Sequence, residues 1–107
     1  MSIGIPRIRD ANTETLTGTK TLTAADAYHQ NLDPGGSART VVLPSGTGTQ
    51  GGAVLITNAA DAAEAITVQQ SDASTTCIVI DQGESARIEC NGVSAAAGWQ
   101  AVGITES

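Results

Sequence analysis

The stretch 65–90, Ala-Ile-Thr-Val-Gln-Gln-Ser-Asp-Ala-Ser-Thr-Thr-Cys-Ile-Val-Ile-Asp-Gln-Gly-Glu-Ser-Ala-Arg-Ile-Glu-Cys, decides the fold. It contains three short runs rich in Ile, Val and Thr, at 65–69, 76–80 and 86–90. A polar loop (71–74) separates the first two runs. Residues 81–84, which include Gly83, separate the last two as a hairpin turn would, and Asn91-Gly92 predicts a second hairpin with a longer connection. Short β-branched runs bounded by turn residues predict strands rather than helices.

The same pattern extends in both directions along the chain. Five further runs occupy 19–23, 28–32, 39–43, 53–57 and 99–102, with Gly, Pro, Asn or Asp between them. We therefore predict an all-β fold, a single antiparallel β-sandwich or jelly-roll-like barrel of about eight short strands. Thr23-Ala-Ala-Asp26 has the spacing of a helix-capping box, so we predict a single helical turn there. No repeat of fixed period stands out. The length predicts one domain, which we assign to residues 15–107.

The composition limits both the core and the partners. Of 107 residues only 2% are aromatic, so Val, Ile, Leu and Ala must build the core around Trp99 and Tyr28. A core of this kind favours oligomerisation, which hides further apolar surface. The net charge of −6 and the lack of a basic stripe argue against nucleic acid. We find no bilayer-spanning apolar run and no signal-peptide pattern, so we expect a soluble protein that has no membrane partner and is not exported by the usual route.

The first fourteen residues differ from the rest. In 1–14, Met-Ser-Ile-Gly-Ile-Pro-Arg-Ile-Arg-Asp-Ala-Asn-Thr-Glu, Gly4 and Pro6 disfavour a helix and a central strand. We predict an extended N-terminal arm that docks on a neighbouring subunit or a larger partner, an ordinary disordered terminus being the alternative. The residues predicted to bind are the apolar and basic ones: Ile3, Ile5, Pro6, Arg7, Ile8 and Arg9.

The sequence offers no catalytic constellation. His29 is the sole histidine, and neither a Gly-x-Ser-x-Gly elbow nor a His-Glu-x-x-His motif is present. The carboxylates are scattered over turns, where they usually bind backbone N–H groups. Cys77 and Cys90 lack the second pair that a zinc site needs. Cys90 alternates in phase with Ile88, so we expect it to point into the core as a small hydrophobic residue. We expect two reduced thiols, with a bridge between neighbouring strands as the alternative. We therefore predict no enzyme activity, cofactor or metal.

Trp99 has two interpretations. It is either a core residue whose indole N–H reaches a partner, or an anchor at an oligomer interface, where tryptophan is enriched. Both interpretations stay open at this point.

Several quoted segments together resemble a known class of proteins. They are Thr-Lys-Thr-Leu-Thr-Ala-Ala-Asp (19–26), Thr-Val-Val-Leu-Pro (40–44), Gly-Gly-Ala-Val-Leu-Ile-Thr-Asn (51–58), Ala-Ile-Thr-Val (65–68) and Gly-Trp-Gln-Ala-Val-Gly (98–103). This succession resembles small all-β virion proteins of tailed bacteriophages, namely capsid decoration (cement) proteins and head-fibre or tail-fibre modules. The resemblance covers most of residues 15–105 and depends on the order of strands and turns.

The resemblance implies a function and a location. It implies a homotrimer that sits at local three-fold positions of a capsid, binds the major capsid protein and stabilises the shell. Such a protein is made in the host cytoplasm and ends on the virion surface. In decoration proteins an N-terminal arm often reaches along the shell, and residues 3–9 would match it. The alternatives are a tail- or fibre-associated virion module, and a carbohydrate- or ligand-binding β-domain with a site near Tyr28 or Trp99.

Overall fold

The computed structural model describes residues 11–46, 51–94 and 96–105, and these residues form nine strands. In chain order they are β1 (Ala11–Thr15), β2 (Lys20–Thr21), β3 (His29–Asp33), β4 (Arg39–Val42), β5 (Ala53–Asn58), β6 (Ile66–Gln69), β7 (Thr76–Ile80), β8 (Ser85–Cys90) and β9 (Trp99–Thr105). The all-β prediction is confirmed, and each of the eight predicted runs contains a strand. The ninth, β1, includes residues 11–14, which the sequence assigned to the arm.

The strands form two sheets that face each other. One has the order β1-β3-β5-β8-β9 and the other β2-β4-β6-β7. The first six strands alternate between the sheets, so β1, β3 and β5 run parallel in one sheet and β2, β4 and β6 run parallel in the other. The prediction of an antiparallel sandwich or jelly roll was wrong for this part. The physical reason is that turns such as 33–36 lead the chain into the opposite sheet instead of back beside the preceding strand.

The number of residues between one strand and the next parallel strand of the same sheet varies along the chain. Ala11 pairs with His29, and His29 pairs with Leu55, so the second step along the sheet takes more residues than the first. This explains why no fixed period is visible in the sequence, although the chain winds in the manner of a β-solenoid.

The C-terminal part closes the two sheets with antiparallel pairs. Strands β6 and β7 pair antiparallel, as do β5 with β8 and β8 with β9. The hairpin predicted at 81–84 was wrong, because β7 and β8 belong to different sheets. The longer hairpin predicted at Asn91-Gly92 is confirmed by the β8–β9 pairing. The result is a sandwich of two mixed sheets.

The core lies between the sheets and consists of the inward side chains of alternating strands. Its fully buried members include Leu32, Leu43, Ile56, Ile66, Val68, Ile80 and Ile88. The buried amide of Asn58 in β5 links the layers: its Nδ2 donates to Ile80 O of β7 at 2.9 Å and to Glu64 O at 2.8 Å. A buried amide with satisfied donors holds the two sheets in one relative position.

Candidate interaction surfaces

The six arm residues predicted to bind a partner lie outside the described residues. The place where they join the sandwich is described, since β1 begins at Ala11 beside His29. Because β1, β3 and β5 are parallel, the arm joins at the end of the sheet where β3 and β5 begin.

Trp99 lies in the core at the start of β9. Its side chain is 5% exposed, and its indole Nε1 donates to Pro44 O at 2.8 Å. Its backbone is bound by Gln70, whose Nε2 donates to Trp99 O at 2.7 Å and whose Oε1 accepts from Trp99 N at 3.2 Å. The core interpretation of Trp99 therefore describes its place in the protomer, and this set of bonds attaches the start of β9 to the opposite sheet.

A cavity of about 250 Å³ opens beside Trp99. Its walls come from the turn after β2, the segment after β4 and the start of β5, and their apolar residues include Leu22, Ala24, Ala27, Pro44 and Val54. Asp26 is the one charged residue among the described lining residues. Its Oδ2 accepts from Thr23 N at 2.7 Å and so closes the turn 23–26, where the sequence predicted a single helical turn and the structure has a hydrogen-bonded turn without a helix.

The remainder of β9 is an exposed sheet edge. Among the described strands it pairs with β8 alone, and every residue from 100 to 105 is exposed. Val102 and Ile104 are 51% and 45% exposed. Ile104 pairs with Ala86, which is fully buried, so Ile104 belongs to the inner face of its sheet. Its exposure shows that the four-stranded sheet does not cover it.

The sequence indicates this edge by a lack of charge, which a search for strand and turn patterns does not detect. Residues 90–105 carry no charged side chain in a chain that is 15% charged. Natural proteins usually protect edge strands with charge, proline or short length. An uncharged edge of seven residues is therefore typical of a surface that becomes covered.

His29 and Tyr28 lie on the outer face of the larger sheet. His29 Nε2 is 2.9 Å from Thr57 Oγ1, which is 2.7 Å from Ser85 Oγ. These contacts contain hydroxyls and no carboxylate, unlike a nucleophile, base and acid in series. Arg87 Nη1 donates to Tyr28 Oη at 2.6 Å. The half-buried Tyr28 ring thus lies against a guanidinium, and the Arg87 carbon Cζ is 5.8 Å from its centroid.

Three carboxylates meet at the opposite end of the sandwich. Oxygen atoms of Asp33, Asp61 and Glu64 lie within 4.8 Å of one another. Two of them already bind turn backbone, because Asp33 accepts from Gly35 N at 2.9 Å and Glu64 from Gly36 N at 3.2 Å. Exposed acidic groups that close turns need no ion to explain them, so we assign no metal to this cluster.

Both cysteines are reduced thiols and form no disulfide, as the sequence favoured. Cys77 belongs to β7 and is half-buried, and burial raises the pKa of its thiol. Cys90 points into the core in phase with Ile88, as expected, and its Sγ lies 3.3 Å from Gly46 O.

Searches against known protein families and curated proteins give no match for this chain. In the described part of the chain no helix has the length and apolar character needed to cross a bilayer. Function must therefore be argued from the surfaces described above.

Proposed function

We propose that this protein is a structural virion protein that decorates and cements a bacteriophage capsid as a homotrimer at local three-fold positions. The single observation that carries the proposal is the uncharged, exposed edge formed by β9. A surface that exposes Val102 and Ile104 on an acidic protein is suited to being buried against another protein chain. The resemblance of segments 19–26, 40–44, 51–58, 65–68 and 98–103 to decoration proteins supplies the kind of assembly.

The two candidate surfaces take different roles in this proposal. The β9 edge joins copies of the chain to each other. The arm, through Ile3, Ile5, Pro6, Arg7, Ile8 and Arg9, attaches each copy to the major capsid protein on the outer surface of the virion. Three arms on one trimer bind together, so that the second and third contacts form at a high effective concentration. A trimer that joins several capsid subunits in this way opposes their separation.

The distribution of charge between the arm and the β domain supports these two roles. Two of the five basic residues of the chain, Arg7 and Arg9, belong to the arm, whereas nine of the eleven acidic residues lie between Glu14 and Glu89. An acidic body is not attracted to other copies by its charge, so self-association requires a neutral apolar contact such as β9. An apolar, cationic arm is suited to a neutral or acidic groove on a partner.

The test is binding of the purified protein to purified capsid shells. The full chain should elute as a trimer and co-sediment with shells, whereas deletion of residues 2–10 should keep the trimer and reduce shell binding at least tenfold. Burial of one isoleucine is worth about 1.5–3 kcal/mol, which exceeds a tenfold change in affinity. The matched control is Arg7→Gln with Arg9→Gln, which should lose only part of the binding and some of its salt dependence.

Two outcomes would overturn the proposal. One is a monodisperse monomer that binds no shell, and the other is electron density confined to the tail or a unique vertex, which would favour a fibre or tail module. The carbohydrate-binding alternative has less support. A sugar site normally uses an open aromatic platform, and Trp99 is buried while Tyr28 is half-buried against Arg87.

A further inference from the structure

The hairpin between β8 and β9 begins with an Asn-Gly pair. Asn91 directly follows β8 and is exposed, and Gly92 has a φ of 76°, which is in the left-handed region. Glycine adopts this conformation without strain, and its lack of a Cβ leaves its backbone nitrogen open to a neighbouring side chain. The pair therefore suits a tight turn and also an attack by the Gly92 nitrogen on the side chain of Asn91.

The side chain of Asn91 is bonded in a way that favours this attack. Its Oδ1 accepts a hydrogen bond from Val93 N at 2.9 Å. A turn in which an asparagine binds the backbone nitrogen two residues on keeps Cγ close to the residue between them, here Gly92. The bond also draws electron density away from Cγ, and the same N–H can stabilise the negative charge that develops on Oδ1 when a nucleophile adds to Cγ.

Asn58 gives the informative comparison, because its Oδ1 also accepts from the nitrogen two residues on, Ala60 N at 2.9 Å. Asn58 is fully buried, however, and its Nδ2 donates to two backbone oxygens that would lose their donor if the amide nitrogen left. The nitrogen that would attack belongs to Ala59, which carries a methyl group and donates to Leu32 O at 2.8 Å. Exposure and the following glycine therefore distinguish Asn91 from an asparagine in a similar turn.

We propose that Asn91 is a site of spontaneous modification in the folded protein. Water or hydroxide removes the Gly92 amide proton, the bond between this nitrogen and Asn91 Cγ forms, and a carbonyl electron pair moves to Oδ1. When that pair returns, the Cγ–Nδ2 bond breaks and the amide leaves as ammonia with a proton from water. Water then opens the resulting succinimide ring at either carbonyl, which leaves aspartate or isoaspartate at position 91. No oxidant, reductant or second protein takes part in this reaction.

The modification acts on the start of β9. Asn91 N donates to Gly98 O at 2.7 Å, and the neighbouring Cys90 pairs with Trp99. Isoaspartate adds a methylene group to the main chain after position 91, which lengthens the hairpin beside these contacts. Both products also place a negative charge in the run 90–105, which otherwise has no charged residue. The modified chain should therefore hold Trp99 less firmly against the opposite sheet.

Tryptic peptide mapping tests the proposal on the full chain, incubated alone at mildly alkaline pH. Cleavage after lysine and arginine leaves one asparagine in each of the peptides 10–20, 21–39, 40–87 and 88–107. Peptide 88–107 should exchange its amide for a carboxyl group roughly tenfold faster than each of the other three. Its fragmentation by mass spectrometry should place the change at Asn91 and not at Gln100. The rate should rise with pH, because the attacking nitrogen must lose a proton. Equal rates in the four peptides would overturn the proposal.

The sole tryptophan reports the structural consequence. During the same incubation Trp99 should become more accessible to acrylamide, in proportion to the fraction of modified chains. Asn91→Gln is the matched control, since it keeps a neutral amide but its longer side chain would have to form a larger and less favourable ring. Neither the mass of peptide 88–107 nor the accessibility of Trp99 should change in this variant. A rise in accessibility of the same size in Asn91→Gln would overturn the link between the modification and β9.

Discussion

The two sides of this sandwich treat their sheet edges in opposite ways. On one side, β1 and β2 are the edges, and Lys20 Nζ of β2 contacts Glu14 Oε1 of β1 at 2.8 Å. On the other side, β7 and β9 are the edges, and both lack charged residues. Val79 of β7, Val102 and Ile104 are each about half exposed there.

This difference indicates that the β1–β2 edges are suited to remain exposed to solvent. A charged edge pair resists the addition of another strand, because pairing would desolvate the charges. A neutral apolar edge gains free energy when it is covered. The contrast between the β1–β2 side and the β7–β9 side therefore indicates where a second chain would bind under the proposed function, and the following predictions test it.

The largest effect is expected from the anchor of the β9 side. Trp99→Ala should lower the free energy of unfolding by about 3–5 kcal/mol, because it empties a core site and leaves Pro44 O without its donor. Trp99→Phe should lose about 1–3 kcal/mol, since most of the ring remains and the N–H is lost. Urea denaturation followed by circular dichroism measures both. Equal losses for the two variants would show that the hydrogen bond, and not the packing of the ring, holds β9.

The second prediction concerns self-association. Val102→Lys with Ile104→Lys should weaken assembly of the chain by more than tenfold, because each exposed aliphatic side chain contributes about 1.5–3 kcal/mol when buried. Sedimentation velocity across a concentration series measures this. Thr13→Lys, on the exposed face of β1, is the control and should assemble like the unmodified chain. Loss of assembly in the control alone would place the interface on the charged side.

The third prediction compares two glycines on opposite sides. A methyl group at Gly98 would lie 2.7 Å from Ser94 O, whereas at Gly18 no atom lies within 4 Å. Gly98→Ala should therefore lower the free energy of unfolding by about 1–3 kcal/mol, because the added methyl group overpacks the hairpin before β9. Gly18→Ala should be neutral or stabilising by up to about 1 kcal/mol, since alanine restricts the unfolded chain. Thermal unfolding of the two variants decides the matter, and a stable Gly98→Ala variant would mean that the hairpin can widen.

The contrast also explains what the sequence could and could not predict. Alternation of Ile, Val and Thr identified the eight runs, since a strand with one buried face needs that period. It also placed Ile88 and Cys90 correctly in the core. Strand β1, Ala-Asn-Thr-Glu-Thr, escaped notice because it is a polar edge strand with no large apolar residue.

Whether strands pair parallel or antiparallel could not be predicted from the sequence, for a different reason. Gly83 has φ of 80° and supports a tight turn, but a tight turn fits both a hairpin and a passage to the opposite sheet. The choice depends on which sheet buries the next run, which is a tertiary contact. The cavity beside Trp99 was equally hidden, since Leu22, Pro44 and Val54 are far apart along the chain. The uncharged run 90–105 can be recognised in the sequence, and it is the one part of the candidate site that composition alone could have revealed.

The smallest effect is expected from pH acting on the charged side. Hydrogen bonds from Lys20 and Asn12 lower the pKa of Glu14 below its ordinary value of 4.5. A carboxyl group with a lowered folded-state pKa stabilises the fold fully above its ordinary value, and that stabilisation is lost as pH falls through the folded-state pKa. Glu14→Gln should therefore lower the free energy of unfolding by at most about 1 kcal/mol near neutral pH, which is the range for a half-exposed ion pair. The difference between the two proteins should become progressively smaller below pH 4.5. The measurement is urea denaturation from neutral to acidic pH in the Val102→Lys with Ile104→Lys background, so that assembly does not contribute. Val79→Thr on β7 is the control, because it introduces no titratable group and its effect should be the same at every pH. A Glu14→Gln difference that persists unchanged in acid would show that the 2.8 Å contact with Lys20 does not depend on the charge of Glu14.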